Sequence, residues 1–335
     1  MKRLVIYKKL AQPLLELLRQ RFDVVYFEGI DASNHEAFAT AVRGAHGLLG
    51  GNVTIDRALL EQAQLLEAIA TISVGFDNFD VDYLSARGIL LSNTPHVLTE
   101  TTADTIFALI LASARRVVEL AEFVRAGKWT SSIGPRLYGV NVHSKTLGIL
   151  GMGRIGQAVA RRARLGFGMS IVYYSRHPVE EAEAQLDARR LSLDELLTQS
   201  DFVCLTLPLT ADTKKLIGAR ELGLMKPSAI LINASRGAVV DEAALIEALG
   251  SGVIHAAGLD VFEHEPLPAD SPLLAMSNVV ALPHIGSATH ETRDAMENLA
   301  VENIIAALEG RPQNVVNHAA MAKPTAPQPA QAGQS

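Results

Sequence analysis

Three residues in the second half of the chain, Arg236, Glu265 and His284, combine into a usable chemistry. An arginine offers a permanent, planar cation to an anionic or polarised oxygen. An imidazole titrates near neutral pH and can give or take a proton. A carboxylate bonded to that imidazole favours its charged form. Each of the three follows a strand candidate: "SAILIN" precedes Arg236, "HAAGLDV" precedes Glu265, and "NVVALP" precedes His284. In an open parallel sheet, ligands collect beyond the carboxyl ends of the strands, so side chains far apart in sequence can converge in one cleft. Glu263 lies in the same loop as Glu265 and is the rival carboxylate.

A second constellation lies upstream. "LGILGMGRIG", Leu147 to Gly156, is an apolar strand running into Gly151, Gly153 and Gly156 in the spacing G-x-G-x-x-G. The first glycine allows a tight turn, the second lets a pyrophosphate approach the backbone, and the third lets helix and strand pack closely. The helix that follows offers free N–H groups and a partial positive charge to phosphates. A dinucleotide is therefore expected. Sites for NAD place an acid at the end of the second strand to bond the ribose 2′-hydroxyl. Here that position, in "YYSRHP", holds Ser175, Arg176 and His177, with no Asp or Glu before Glu180. A carboxylate would repel a 2′-phosphate, whereas a hydroxyl and a guanidinium can bind one. The expectation is NADPH in preference to NADH, with Arg154 as a second cation.

The elements that must hold these groups read as α/β throughout. Strand candidates "RLVIY", "DVVYF", "GLLG", "EAIATISV" and "GILLSN" alternate with helical segments such as "QPLLELLRQRF" and "TIDRALLEQA". A single long helix is expected from about Thr101 to Ala126, opened by a capping box at Thr101 and Asp104. An irregular loop rich in Gly, Ser and Pro follows, and strand–helix alternation resumes at the glycine motif. The last helix, "ATHETRDAMENLAVENIIAALEG", can return to the first half. The expected architecture is two Rossmann-like or flavodoxin-like domains with parallel sheets and the active site in the cleft between them. One comprises residues 1–98 plus 288–318; the other, holding the dinucleotide, 99–287. Residues 319–335, rich in Ala, Pro and Gln, are expected to be a disordered tail.

Composition narrows the function. The 335 residues are 48% hydrophobic and 20% charged, with a net charge of −6. An acidic chain has no general electrostatic reason to bind nucleic acid or an anionic membrane, so neither partner is expected. "ARRARL" is a cationic run, but cations near a helix C-terminus are favoured without any ligand. The N-terminus has no apolar stretch behind its charges, and "TIFALILASA" is too short to span a bilayer, which points to the cytoplasm. The single cysteine, Cys204, sits in the apolar run "DFVCLTL" and reads as a buried strand residue. The ten histidines show no metal-binding spacing, and no metal is expected.

Together with "SVGFDNFDVD", these motifs resemble the D-isomer-specific 2-hydroxyacid dehydrogenase family over nearly the whole chain, from Lys2 to about Asn317. Within it, "TISVGFDNFD", "VLTETTADT", "YYSR" and "PHIGSATHETR" are most similar to bacterial glyoxylate/hydroxypyruvate reductases that also act as 2-ketogluconate reductases. The resemblance implies reversible hydride transfer between NADPH and a small 2-oxo acid, giving a D-2-hydroxy acid. Glyoxylate, hydroxypyruvate and 2-ketogluconate are the implied substrates. Arg236 would bind and polarise the 2-oxo acid, His284 would donate the proton, and Glu265, favoured over Glu263 by its spacing from Asp260, would hold His284 charged. The discontinuous domain would bind substrate, with the N–H groups of Val74 and Gly75 on its carboxylate. Thr102, Ile155, Gln157, Ala234 and Gly286 would line the cofactor. Ser235 would contact the cofactor phosphates or cap the next helix; Asp260 would contact the nicotinamide amide or brace its loop. The family implies a homodimer, with the Trp129–Tyr138 loop near the partner's site. Two alternatives are a 2-keto-6-phosphogluconate reductase, which needs a cation beyond Arg236, and a non-catalytic dinucleotide sensor of corepressor type.

Overall fold

The computed structural model describes residues 1–51 and 53–317; the expected tail, 319–335, lies outside the described residues. The described residues divide into two compact units, Leu98–Thr292 and Met1–Val97 with 293–317.

The first unit is a five-stranded sheet of β1 (Arg3–Ile6), β2 (Asp23–Tyr26), β3 (Gly47–Gly50), β4 (Ala68–Thr71) and β5 (Leu90–Ser92), in the order β2-β1-β3-β4-β5. Every pairing is parallel, so helices must cross over its faces. The final helix, His290–Leu308, contributes to this unit: Lys2 Nζ donates to its Leu308 carbonyl at 2.8 Å, and its buried Asn303 Nδ2 donates to Asn93 O at 2.8 Å.

The second unit is a seven-stranded parallel sheet of β6 (Thr146–Leu150), β7 (Ser170–Tyr174), β8 (Arg189–Arg190), β9 (Phe202–Leu205), β10 (Ile230–Asn233), β11 (Ala256–Leu259) and β12 (Val279–Ala281). Its order is β12-β11-β10-β9-β6-β7-β8. The winding reverses between β6 and β9, the place in an open sheet where ligands bind. Successive side chains alternate across the sheet. Leu147, Ile149, Phe202, Cys204, Ile230 and Ile232 enter one core, and Val203, Leu205, Leu231 and Leu259 the other. Burial pushes the Cys204 thiol up to about 12, which makes it an inert packing group.

At the amino end of this sheet, Asp201 ties separate strands together. Its carboxylate accepts from Thr146 N at 2.9 Å and Lys226 Nζ at 2.8 Å. Burial alone would raise the carboxyl, but these bonds and the neighbouring cations hold it below its ordinary range.

The expected helix over Thr101–Ala126 is two helices, Thr99–Ala114 and Val117–Arg125. Arg116 adopts a left-handed conformation, φ 54°, at the break. The chain returns there, and Val140 N donates to Ala114 O at 2.8 Å, taking the carbonyl a continued helix would use. Arg116 holds the turn by gripping both Glu119 carboxylate oxygens at 2.7 Å. The expected capping box is also absent. The helix begins at Thr99, Thr101 Oγ1 meets Thr292 Oγ1 at 2.5 Å, and Asp104 pairs with Arg162. Glu100 binds Arg161 and Arg162, so the "ARRARL" cations are spent within the unit. The helices His35–Arg43 and Glu180–Leu186 and the two-residue β8 had no counterpart in the sequence reading.

Asp201→Asn should destabilise the protein by about 1–2 kcal/mol at neutral pH, the net worth of a charge-assisted bond. Because the native carboxyl is depressed, this contribution is present above the ordinary carboxylate range and lost as pH falls through the native value. Denaturant unfolding at pH 7 and in acid checks both: the variant and the parent should converge in acid.

Candidate active site

Strands β10, β11 and β12 are consecutive neighbours, and their ends are level: Asn233 pairs in register with Leu259, and Leu259 with Ala281. The loops beyond them therefore start at one height on the sheet edge. Those loops carry Arg236, Glu265 and His284, and the structure brings the three together. Glu265 Oε2 lies 2.7 Å from His284 Nδ1, and Glu265 Oε1 accepts from Phe262 N at 3.0 Å. Burial would raise the Glu265 carboxyl. The imidazole bond, the Phe262 N–H and the nearby charges of His284 and Arg236 outweigh burial and hold it below its ordinary range. The rival Glu263 is turned elsewhere, toward Lys215 at 3.8 Å.

His284 sits in the left-handed region, φ 56°, an uncommon conformation for a residue with a side chain. The next two residues are fixed by Asp260, whose carboxylate accepts from Ile285 N and Gly286 N, both at 2.7 Å. Burial pushes the Asp260 carboxyl above its usual range, and the two N–H bonds offset this only in part. Asp260 is thus a brace for the His284 loop. Thr102, buried in the first turn of its helix, lies against Gly286: a Cβ there would meet Thr102 Cγ2 at 3.4 Å.

Two further residues, absent from the sequence-based set, shape the site. Asn233 accepts from Ser235 N at 3.0 Å and Ser235 Oγ at 2.8 Å, and donates to Arg236 O at 3.0 Å. It folds the turn that presents Arg236; Ser235 is engaged within this turn and does not cap a helix. Gly237 presses the Arg236 loop onto the Glu265 loop so tightly that a Cβ would fall 1.8 Å from Phe262 C. Its signal in the sequence was only its place directly after Arg236.

At the switch point, Gly151 has φ 99°, and a Cβ on Gly156 would meet Gly151 O at 2.3 Å. Gly153 precedes the helix Arg154–Arg161, and a Cβ there would meet nothing within 4 Å. Open space before free helical N–H groups fits a pyrophosphate. Arg154 is exposed, Ile155 packs against the core, Gln157 Nε2 donates to Met152 O at 3.3 Å, and Ala234 packs on the same core. Ser175, Arg176 and His177 follow β7, where the Ser175 hydroxyl donates to His177 O. Val74 and Gly75 belong to the other unit, in the loop after β4. Asn93 Nδ2 donates to Val74 O at 2.8 Å and Ser73 Oγ to Gly75 O at 2.6 Å. Among the described residues, no group of three or more His, Cys, Asp or Glu could hold a metal ion.

Gly237→Ala should lower the melting temperature and remove nearly all activity, because backbone must move to admit the methyl. Gly153→Ala should melt like the parent yet bind NADPH at least about tenfold more weakly. Thermal unfolding and cofactor titration of both variants separate packing from ligand contact.

The pattern of the D-isomer specific 2-hydroxyacid dehydrogenase NAD-binding domain matches residues 107–286. A glyoxylate/hydroxypyruvate reductase B of Serratia proteamaculans is 58% identical over 94% of this chain and 97% of its own. Its counterpart in Yersinia enterocolitica is 59% identical over the same shares. Among solved structures, the NADPH-dependent glyoxylate/hydroxypyruvate reductase of Sinorhizobium meliloti, in complex with NADP and malonate, superposes with a TM-score of 0.83 at 35% identity, covering 96% of this chain and 97% of its own. The TT0316 protein of Thermus thermophilus gives 0.85 at 45% identity, covering 94% and 99%. With matches of this extent and identity, and with the site just described, the chain belongs to the D-isomer-specific 2-hydroxyacid dehydrogenase family.

Proposed function

We propose that this protein reduces glyoxylate and hydroxypyruvate to the corresponding 2-hydroxy acids, using a reduced nicotinamide dinucleotide. The observation that carries this reading is the 2.7 Å Glu265–His284 contact with Arg236 close enough to depress the same carboxylate. When bound, the nicotinamide supplies the hydride, and the chain supplies the rest. An ionised carboxylate can only accept, so Nδ1 of His284 carries the proton of that bond. The ring's other nitrogen, Nε2, is left to donate a proton to the substrate carbonyl oxygen. After transfer the imidazole is neutral, with Nδ1–H still held by Glu265. Arg236 is suited to the negative oxygens of the 2-oxo acid, and its permanent charge persists through turnover.

We further infer that NADPH is preferred over NADH. Support comes from the end of β7, where Ser175, Arg176 and His177 stand in place of a carboxylate. The reading includes 2-ketogluconate as a substrate and a homodimer. Trp129 and Tyr138, 63% and 58% exposed, offer apolar surface to a second copy.

His284→Ala should lower kcat for glyoxylate by about 10²–10⁴ while NADPH still binds. Steady-state assays over a panel of 2-oxo acids, each with NADPH and NADH, supply the test. An alanine variant as fast as the parent would remove His284 from the chemistry; no turnover of any 2-oxo acid by the parent would overturn the function. Gel filtration with scattering should show a dimer at micromolar concentration, and a monomer would remove that part.

A further inference from the structure

Arg190 stands at the carboxyl end of the edge strand β8, beside the end of β7. It lines a cavity of about 400 Å³ with Tyr174, Leu191, Ser192 and Glu195. Its guanidinium donates to Ser175 O from Nε at 3.1 Å and from Nη2 at 2.9 Å, and from Nη2 to Arg176 O at 2.9 Å. Two successive carbonyls are thus drawn to one cation. Both peptides are trans. In a planar trans peptide the N–H points opposite to the carbonyl of the same unit. The N–H groups of Arg176 and His177 are therefore aimed away from Arg190. Carbonyls drawn to one cation leave these N–H groups on the opposite side of the turn, where each can meet a separate oxygen of an anion.

The turn is held at other points too. The Tyr173 hydroxyl accepts from Val179 N at 2.9 Å and donates to Glu183 at 2.6 Å. The acid in the cavity wall, Glu195, does not compete for Arg190: its Oε2 accepts from Ser192 N at 3.0 Å and Ser192 Oγ at 2.6 Å. A surface turn fixed before binding loses less freedom when the ligand arrives.

We propose that Arg190 is a positioning residue for the cofactor's 2′-phosphate. It sets the Ser175–His177 turn so that two peptide N–H groups and the Arg176 side chain meet a phosphate on the adenosine ribose. The proposal rests on the NADPH reading above.

The test uses the whole protein with Arg190→Met, Arg190→Lys and, as a control, Arg176→Ala. Calorimetry measures binding of adenosine 2′,5′-bisphosphate and of AMP, and kinetics gives KM for NADPH and NADH. Arg190→Met should weaken the bisphosphate and raise KM for NADPH by about tenfold, with AMP and NADH altered less than about twofold. Arg190→Lys keeps the charge but not the fork across two carbonyls, and should recover only part of the loss. Three results overturn the proposal: Arg190→Met binding like the parent, equal losses for bisphosphate and AMP, or full recovery in Arg190→Lys, which would make charge alone responsible. If Arg176→Ala collapses the preference for the bisphosphate and Arg190→Met does not, only the role of Arg190 fails. If the parent itself binds the bisphosphate no more tightly than AMP and uses NADH as well as NADPH, the NADPH reading itself fails.

Discussion

The site depends on one carboxylate kept ionised where burial opposes it. The Glu265 side chain is 35% exposed and partly desolvated, yet the Phe262 N–H on one oxygen and the His284 ring on the other hold its proton off. That charge fixes the proton on Nδ1 of the imidazole, and so leaves Nε2 as the ring nitrogen not bonded to Glu265. Three neighbouring residues fix the loops that carry these side chains and Arg236. Asp260 braces the backbone after His284, Gly237 lets the Arg236 loop lie on the Glu265 loop, and Asn233 shapes the turn that presents Arg236.

The sheet makes this convergence possible. Parallel strands in register end at one level, so loops remote in sequence begin side by side. The same edge carries the glycine turn after β6 and the cationic turn after β7. Fold and chemistry are nonetheless separate matters, since doubly wound sheets host many reactions. What distinguishes this one is the identity of a few side chains just past the strands.

That division explains what could be read from the sequence. Apolar strand runs and the glycine spacing are local patterns, and they placed Arg236, Glu265 and His284 beyond neighbouring strands. The choice of Glu265 over Glu263 came from family spacing; residue type alone left it open, and only the Lys215 contact shows where Glu263 turns. The break at Arg116 was not legible, because a left-handed arginine carries no turn signature. It exists through a carbonyl that a distant residue, Val140, claims. The expected cap at Thr101 failed for the same reason: Asp104 and Glu100 are drawn to arginines on another helix. Arg190 was also hidden, since β8 has only two residues and its bonds go to backbone carbonyls, which no side-chain pattern reveals.

The Asp201 knot has a consequence for how such an enzyme can change. It clasps the sheet at the amino end, opposite the edge where the reactive loops emerge. Foldedness and selectivity are thereby anchored at opposite poles of the same strands. Exchanges in the outer loops can retune which keto acid is accepted while the clasp stays intact, which leaves the scaffold room to diversify.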